Sequence, residues 1–276
     1  MMAQKPYVLI FTHMPKAAGT SLVAAIKRQY KNPKVLDLGR HPVKKYVDQY
    51  STLLEEERAN IDLVVGHYPF GLHSLIPRPC VYITMLREPI ARVVSHYYQV
   101  LRDPSHYAYE RGFSPKMSLY EYVESGVAEE EISNGQTRFM AGLRPDADNM
   151  LDSAIQNGEA CYKVVGIAEQ FDQSLMLMRR ELNWQLPVYH SRHVYGQERA
   201  ANSEKAIKAI KRKNELDLQL YEHFANRFQD EIDKQISFER WEVHAFQLIN
   251  GIYKTYVKTR LQAGQWKAMI LKGKNS

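Results

Sequence analysis

Tyr7-Val8-Leu9-Ile10-Phe11-Thr12-His13-Met14-Pro15-Lys16-Ala17-Ala18-Gly19-Thr20-Ser21 is the stretch on which the fold turns. Tyr7 to Thr12 is a nearly continuous apolar run, the pattern of a strand covered on both faces. Pro15 to Ser21 reads as a glycine-containing turn. Ser21 to Tyr30 then sets Leu22, Ile26 and Gln29 at helical spacing, with Thr20 or Ser21 available as the cap. A strand that feeds a helix through such a turn opens an α/β unit. It also aims backbone N–H groups and the positive end of the helix at one place, which suits an anion. Lys16 adds a mobile charge, and the hydroxyls of Thr20 and Ser21 add donors. The nucleotide consensus G-x-x-x-x-G-K-[ST] puts lysine after its second glycine, whereas Lys16 precedes Gly19, so an ordinary kinase or ATPase is disfavoured. The bland account of the same turn is a glycine that merely permits close packing.

Further apolar runs stand at Leu63 to Gly66, Val81 to Leu86 and Lys163 to Ile167. Helical periodicity fills Val43 to Arg58 and Ile90 to Leu101 between them. This alternation predicts an α/β fold: a P-loop-like, mainly parallel sheet flanked by helices. After Ile167 the pattern turns helical, over Phe171 to Leu182, Ser203 to Phe228 and Phe238 to Thr259. The polar stretch Asn183 to Asn202, with His190, Arg192, His193 and Arg199, reads as a loop. The division expected is a body over 1–237 and a helical, basic extension over 238–276.

A chain of 276 residues with 45% apolar and 25% charged side chains sits on globular averages, which excludes disordered, collagen-like and coiled-coil classes. The opening MMAQKPYVLIFTHMPK runs straight into a strand and lacks the layout of an export signal. Cys80 and Cys161 form no C-x-x-C and are expected to be ordinary buried thiols. Together these features give a cytoplasmic expectation. Six basic residues follow the last acid, Glu242, and they equal the whole net charge of +6. The body is neutral on balance, so a nucleic-acid-binding surface is not expected, and a local basic patch on the tail is.

A second constellation runs Leu86-Arg87-Glu88-Pro89-Ile90-Ala91-Arg92-Val93-Val94-Ser95-His96-Tyr97-Tyr98. Arg87 falls at the carboxyl end of a strand, where open α/β sheets bind ligands, and Pro89 suits the first turn of the next helix. The guanidinium offers a planar fork for a phosphate, and Ser95 can add a hydrogen bond. A third is Gly66-His67-Tyr68-Pro69-Phe70, at the end of another strand. A histidine there is suited to general-base work, although a buried hydrogen-bonding role is the common alternative. His190 and His193 have metal-like spacing, but no neighbouring Cys, Asp or Glu completes a site. Asn134, Gln136 and Arg138 are candidates to face a cleft, whereas Asn214, Asp217 and Tyr221 read as structural.

The first two constellations resemble the sulfotransferases that use 3′-phosphoadenosine 5′-phosphosulfate (PAPS), nearest the carbohydrate branch that includes heparan sulfate 2-O-sulfotransferase and bacterial relatives. Pro15 to Ser21 matches that family's P-K-x-x-x-T-S loop, and Arg87 to Tyr98 matches R-[DE]-P-x-x-R-x-x-S-x-Y-Y. Similarity continues through Asn134 to Arg138, Val165 to Phe171 and Asn214 to Tyr221, so it spans roughly residues 8 to 228. The resemblance implies that Lys16, Ala17, Ala18, Gly19, Thr20 and Ser21 hold the 5′-phosphosulfate and that Arg87 and Ser95 hold the 3′-phosphate. It implies that His67 is the base, that Lys16 stabilises the leaving phosphate, and that no metal takes part. The acceptor expected is a hydroxyl, on a carbohydrate.

Two other readings stay open: a nucleotide-dependent phosphotransferase and a non-catalytic polyanion-binding protein of the same fold. Asp103 to Lys116, polar and aromatic, is the expected acceptor loop. In the tail, Val243, Phe246, Ile249, Ile252, Tyr253, Tyr256 and Val257 are expected on one helical face. That face would pack on the body or a second subunit, or would bring an anionic glycan or acidic membrane surface to the basic residues beside it.

Overall fold

The computed structural model describes residues 6–39, 55–143, 146, 148–190, 203–234 and 240–272. Five strands, β1 (Val8–Thr12), β2 (Val35–Asp37), β3 (Leu63–Gly66), β4 (Cys80–Leu86) and β5 (Tyr162–Ile167), form one sheet in the order β2-β3-β1-β4-β5. Every pairing is parallel, as the continuous apolar runs require. All five residues of β1 are buried, which is what a central strand covered by helices on both faces demands. β2 is a strand that the apolar pattern did not reveal. It has three residues, lies at the sheet edge, and is only partly buried, so it lacks the run that marks its neighbours.

Helices fill the connections: α1 (Gly19–Lys27), α2 (Glu55–Ala59), α3 (Pro89–Arg102), α4 (Tyr107–Glu110), α5 (Leu119–Ser125), α6 (Glu129–Ile132), α7 (Gly135–Ala141), α8 (Met150–Cys161), α9 (Phe171–Glu181), α10 (Glu204–Lys213), α11 (Glu215–Lys234) and α12 (Arg240–Lys272). Helix α3 starts as expected, with Pro89 in its first turn and the Glu88 carboxylate accepting from Ile90 N at 3.0 Å and Ala91 N at 2.7 Å. The expected helix over 203–228 is two helices, broken at Asn214. Of the helix expected over 43–58, residues 43–54 lie outside those described, as do Arg192, His193 and Arg199 of the polar loop.

The main core joins the sheet to α1, α9 and α11. A second cluster packs Val93, Tyr97 and Val100 of α3 against Tyr122 of α5 and Ile210 of α10. Cys80 is half-buried, and burial pushes its thiol up to about 11. Cys161 corrects the expectation of two buried thiols: it ends α8 on the solvent side and is exposed.

The tail helix α12 enters the core within its second turn, at Phe246. Phe246 is 1% exposed and shares the sheet's cluster, and Asn250 is buried because its Oδ1 accepts from Tyr189 N at 2.8 Å. The line facing the body is Val243, Phe246, Asn250, Tyr253 and Val257. Ile249, Ile252 and Tyr256, expected on that face, are instead exposed together with Trp241 and Leu248. A step of about 3.6 residues explains the split, since the body takes only one stripe of the helix. Lys254 sits over the Tyr189 ring at 4.4 Å. No helix among the described residues is long and apolar enough to cross a membrane.

Candidate active site

Register builds the site. Thr12 of β1 stands opposite Gly66 of β3 and Thr84 of β4, so the carboxyl ends of β1 and β3 are level and β4 runs two residues further, to Leu86. His13 and His67, each the next residue, are therefore neighbours, and their rings stack with centroids 4.3 Å apart. His13 N donates to Gly66 O at 3.0 Å and ties the two strand ends together. Gly66 is required by its φ of 152° and by crowding, because a Cβ there would meet Leu38 Cβ at 2.7 Å.

Beyond His13 the backbone takes left-handed conformations at Lys16 (φ 66°) and Ala18 (φ 59°). Such residues cost about 1–3 kcal/mol each and persist where the surroundings hold them, commonly at functional turns. Helix α1 begins after Ala18, which corrects the cap expected at Thr20 or Ser21. Gly19 packs directly on the His13 ring, and a Cβ there would come within 2.0 Å of it. Glycine is thus needed for close approach, and the approach is to the stacked histidines. Ala17 is buried and its N–H goes to Met14 O at 3.4 Å, so it shapes the turn from the core side. The Ser21 N–H goes to Ala18 O at 3.2 Å, which leaves that residue its hydroxyl as donor. Gly19 and Thr20 carry the leading N–H groups of the helix.

Arg87 follows β4 and joins the two motifs. Its Nη1 donates to Lys16 O at 3.0 Å across the sheet edge. Its peptide is clasped by Gln136, with Arg87 N donating to Oε1 and Gln136 Nε2 donating to Arg87 O, both at 2.9 Å. Glu169, just past β5, lies 3.8 Å from Arg87 Nε and accepts from Glu88 N at 3.2 Å and from the Tyr221 hydroxyl at 3.1 Å. Burial lowers the Arg87 pKa, and the charges of Glu169 and Glu88 work against that. Behind Gln136 lies a buried ion pair, Arg92 Nη2 to Asp217 Oδ2 at 3.2 Å.

Lys16, Ala18, Gly19, Thr20, Ser21, His67, Arg87 and Ser95 all line one open cleft of about 1420 Å³. Typical ligand pockets hold about 300–1,000 Å³, so this one has room for a nucleotide and a second substrate together.

A model of the galactose-3-O-sulfotransferase family matches residues 36–251, more than half of the chain. The chain belongs to that family. It is 30% identical over 197 residues to galactose-3-O-sulfotransferase 3 of Mus musculus, covering 60% of this chain and 42% of that protein. The identity is 31% over 185 residues to the Homo sapiens counterpart, covering 57% and 39%. It is 24% over 210 residues to galactose-3-O-sulfotransferase 2 of Mus musculus, covering 70% and 52%. The matched stretches span about half the length of these relatives or less. These matches support a PAPS-dependent carbohydrate sulfotransferase family, and the likeness to heparan sulfate 2-O-sulfotransferase rests on the motifs alone. The family match begins beyond the Pro15 to Ser21 turn and takes in His67, Arg87 and Ser95.

In this galactose-3-O-sulfotransferase family member the cleft also has residues that the sequence reading passed over. His13 is one, and the rule that singled out His67, a histidine directly after a strand, would have found it. Glu131 of α6 is another, hidden in the acidic run Glu129 to Glu131. The carboxylate of Glu131 pairs with His96 Nε2, and the Tyr107 hydroxyl donates to it. Burial by itself would raise the Glu131 pKa, but the His96 hydrogen bond and the charges of His96, His106 and His67 outweigh it and bring it down to about 2.

His96, His106 and Glu131 hold their ligand atoms within 4.8 Å of one another, a donor set with metal-like composition. The hydrogen bonds disfavour a metal. His106 Nδ1 accepts from Ala108 N at 3.2 Å, so a neutral His106 carries its proton on Nε2, the atom a metal would need bare.

A carboxylate held below its ordinary pKa of 4.5 stabilises the fold above that pH, and the contribution drains away as pH falls towards 2. Wild-type protein should therefore lose thermal stability across this window more steeply than Glu131→Gln. Identical acid limbs in the two proteins would show that the carboxylate is not held in this way.

Proposed function

We propose that the protein transfers the sulfuryl group of PAPS to a hydroxyl of a galactose residue in a glycan. The observation that carries this reading is the convergence of Lys16, His67 and Arg87 on one cleft, with Arg87 hydrogen-bonded to the Lys16 carbonyl. Membership of a galactose-3-O-sulfotransferase family supports the sugar and its 3-hydroxyl.

PAPS supplies the sulfuryl group, and its departing portion is 3′-phosphoadenosine 5′-phosphate. Lys16, with the N–H groups of Gly19 and Thr20, neutralises the charge that builds on the leaving phosphate, a role that needs donors fixed in advance. Arg87 and Ser95 hold the 3′-phosphate. His67 takes the proton of the attacking hydroxyl, so the new S–O bond forms as the old one breaks and the proton ends on the imidazole. Positioning and electrostatics are sufficient for such a transfer, as they are in phosphoryl transfer.

The deciding experiment offers the purified protein labelled PAPS with a β-galactoside, and separately tests retention on immobilised 3′-phosphoadenosine 5′-phosphate and on ATP. Label on the galactoside is the expected result. Retention on ATP alone would favour a phosphotransferase, and retention on neither a polyanion-binding protein. Arg87→Ala should weaken affinity for 3′-phosphoadenosine 5′-phosphate by about 10- to 100-fold, since hydrogen bonds to charged groups are worth about 1.5–3 kcal/mol. Ser95→Ala should weaken it less. Unchanged calorimetric affinity in both would remove the 3′-phosphate from this site. His67→Ala should abolish transfer while that affinity persists; joint loss of binding and stability would make it a structural histidine.

A further inference from the structure

The cleft has a second wall, built from α3 beyond Ser95, the segment after it, and α6, whose side chains the transfer chemistry does not use. Its centre is Glu131, fixed from two sides. Arg92 Nη1 donates to the Glu131 main-chain carbonyl at 2.7 Å, and Arg92 is itself clamped by Asp217. The carboxylate is held by His96, whose Nδ1 bonds the Tyr122 hydroxyl at 2.7 Å, and by the Tyr107 hydroxyl. The Tyr107 ring is packed by His106, at 4.6 Å between centroids, and by the Arg111 guanidinium, at 4.8 Å. The side chain of Glu131 nevertheless keeps 28% of its surface open, and it lines the cleft.

We infer that this wall is the acceptor subsite for an uncharged pyranose, with Glu131 taking hydrogen bonds from sugar hydroxyls and turning away rings that carry a carboxylate or sulfate. The inference rests on the glycan reading above and names the residue that selects the sugar. An ionised carboxylate is acceptor-only, with about four lone-pair directions, and sugar hydroxyls are the donors that complement it. The same charge repels an anionic ring, and in a partly buried cleft that repulsion is little screened. Two of the arginines that line this wall are engaged away from the Glu131 carboxylate. Arg111 is drawn over Tyr107, and Arg138 Nη2 reaches the Ser133 carbonyl at 3.5 Å. Glu131 and His67 line the same cleft, so a sugar bound at this wall lies in the chamber that holds the base. The sugar chosen this way differs from the anionic glycan that the basic tail alone suggests.

The test measures binding of methyl β-galactoside and methyl β-galacturonoside, which differ in charge at one carbon, to protein saturated with 3′-phosphoadenosine 5′-phosphate. Wild type should bind the galactoside at least tenfold more tightly than the galacturonoside. Glu131→Gln should weaken galactoside binding at least tenfold and bring the two sugars within about threefold of each other, a charge–hydrogen-bond effect of the ordinary size. Tyr107→Phe, which removes only the hydroxyl on the carboxylate, should give a smaller loss of the same kind and guards against a Glu131 variant that does not fold. Affinity for 3′-phosphoadenosine 5′-phosphate should be unchanged in both. Wild type that binds the two sugars alike, or a folded Glu131→Gln with unaltered affinity and preference, overturns the inference. Wild type that shows the preference but transfers no label upholds the subsite and overturns the proposed transfer. Wild type that transfers label, with Glu131→Gln indifferent, does the reverse.

Discussion

Lys16→Ala is expected to cut turnover by about 10²–10³-fold, because a donor aimed at charge developing in the transition state is worth about 3 kcal/mol in a preorganised site. The loss should fall on turnover more than on affinity for 3′-phosphoadenosine 5′-phosphate, since Arg87 and Ser95 hold the far phosphate. The fold should survive. Lys16 is half-buried on the cleft, and its carbonyl, which accepts from Arg87, is retained in alanine. Its left-handed φ is less comfortable for alanine than for glycine, so Lys16→Gly is the companion variant that separates charge from backbone strain. Both variants should be equally slow. More than half of wild-type turnover in either would take the lysine out of the mechanism.

Asp217→Ala is expected to destabilise the protein by about 3–5 kcal/mol, the usual cost of leaving one partner of a buried ion pair behind. Arg92 and Asp217 are both buried, at 1% and 0% side-chain exposure. Asp217 accepts from Arg92 Nη2, from Gln136 N at 3.1 Å, and from Thr137 N and Oγ1 at 2.7 and 2.8 Å. Removing the carboxylate strands an arginine and two amide N–H groups in the interior. Set against a total stability of about 5–15 kcal/mol, this is a large fraction. Asp217→Asn keeps the volume but turns one acceptor oxygen into a donor, so it should fall between wild type and Asp217→Ala. Denaturant midpoints read all three. A stability within about 1 kcal/mol of wild type in Asp217→Ala would mean that the network is not a unit. Any folded fraction should also bind donor product poorly, because Gln136 would no longer be held against Arg87.

What could be read from the chain alone follows from how local the determinants are. The turn after β1, Arg87 after β4 and Pro89 at the start of α3 announce themselves because each is set by residues within one strand–turn–helix unit. The parallel sheet was legible for the same reason: four of its strands are mainly apolar runs, interrupted in β5 by Lys163. β2 was not, because two half-covered residues and an exposed aspartate leave no such run. The start of α1 at Ala18 was missed because capping rules expect a side-chain acceptor, and here strain and the His13 ring set the boundary instead. Ile249, Ile252 and Tyr256 were expected on the buried stripe of α12, since amphipathic spacing does not say which stripe the body takes. Glu131 and Glu169 carried no mark, because what makes them special lies 24 to 82 positions away, Tyr107 and His96 for the one and Tyr221 and Arg87 for the other. The structural reading of Asp217 succeeded, but its partners Arg92 and Gln136 could not be named from periodicity.

The fixed register of β1, β3 and β4 makes the sheet a jig. In a parallel sheet each residue advances about 3.3 Å and alternates faces, so a slip of β3 by one position would carry His67 that far from His13 and turn it to the opposite side. The spacing of the reactive groups is therefore machined into main-chain hydrogen bonds, which do not depend on the identity of the side chains that follow. Point changes at positions 13, 67 and 87 alter the tools in the jig and leave its dimensions alone. Insertions or deletions inside β1, β3 or β4 alter the dimensions for every tool at once. New chemistry on this scaffold is accessible by substitution at the strand ends, and length variation is admissible only in the connections beyond them.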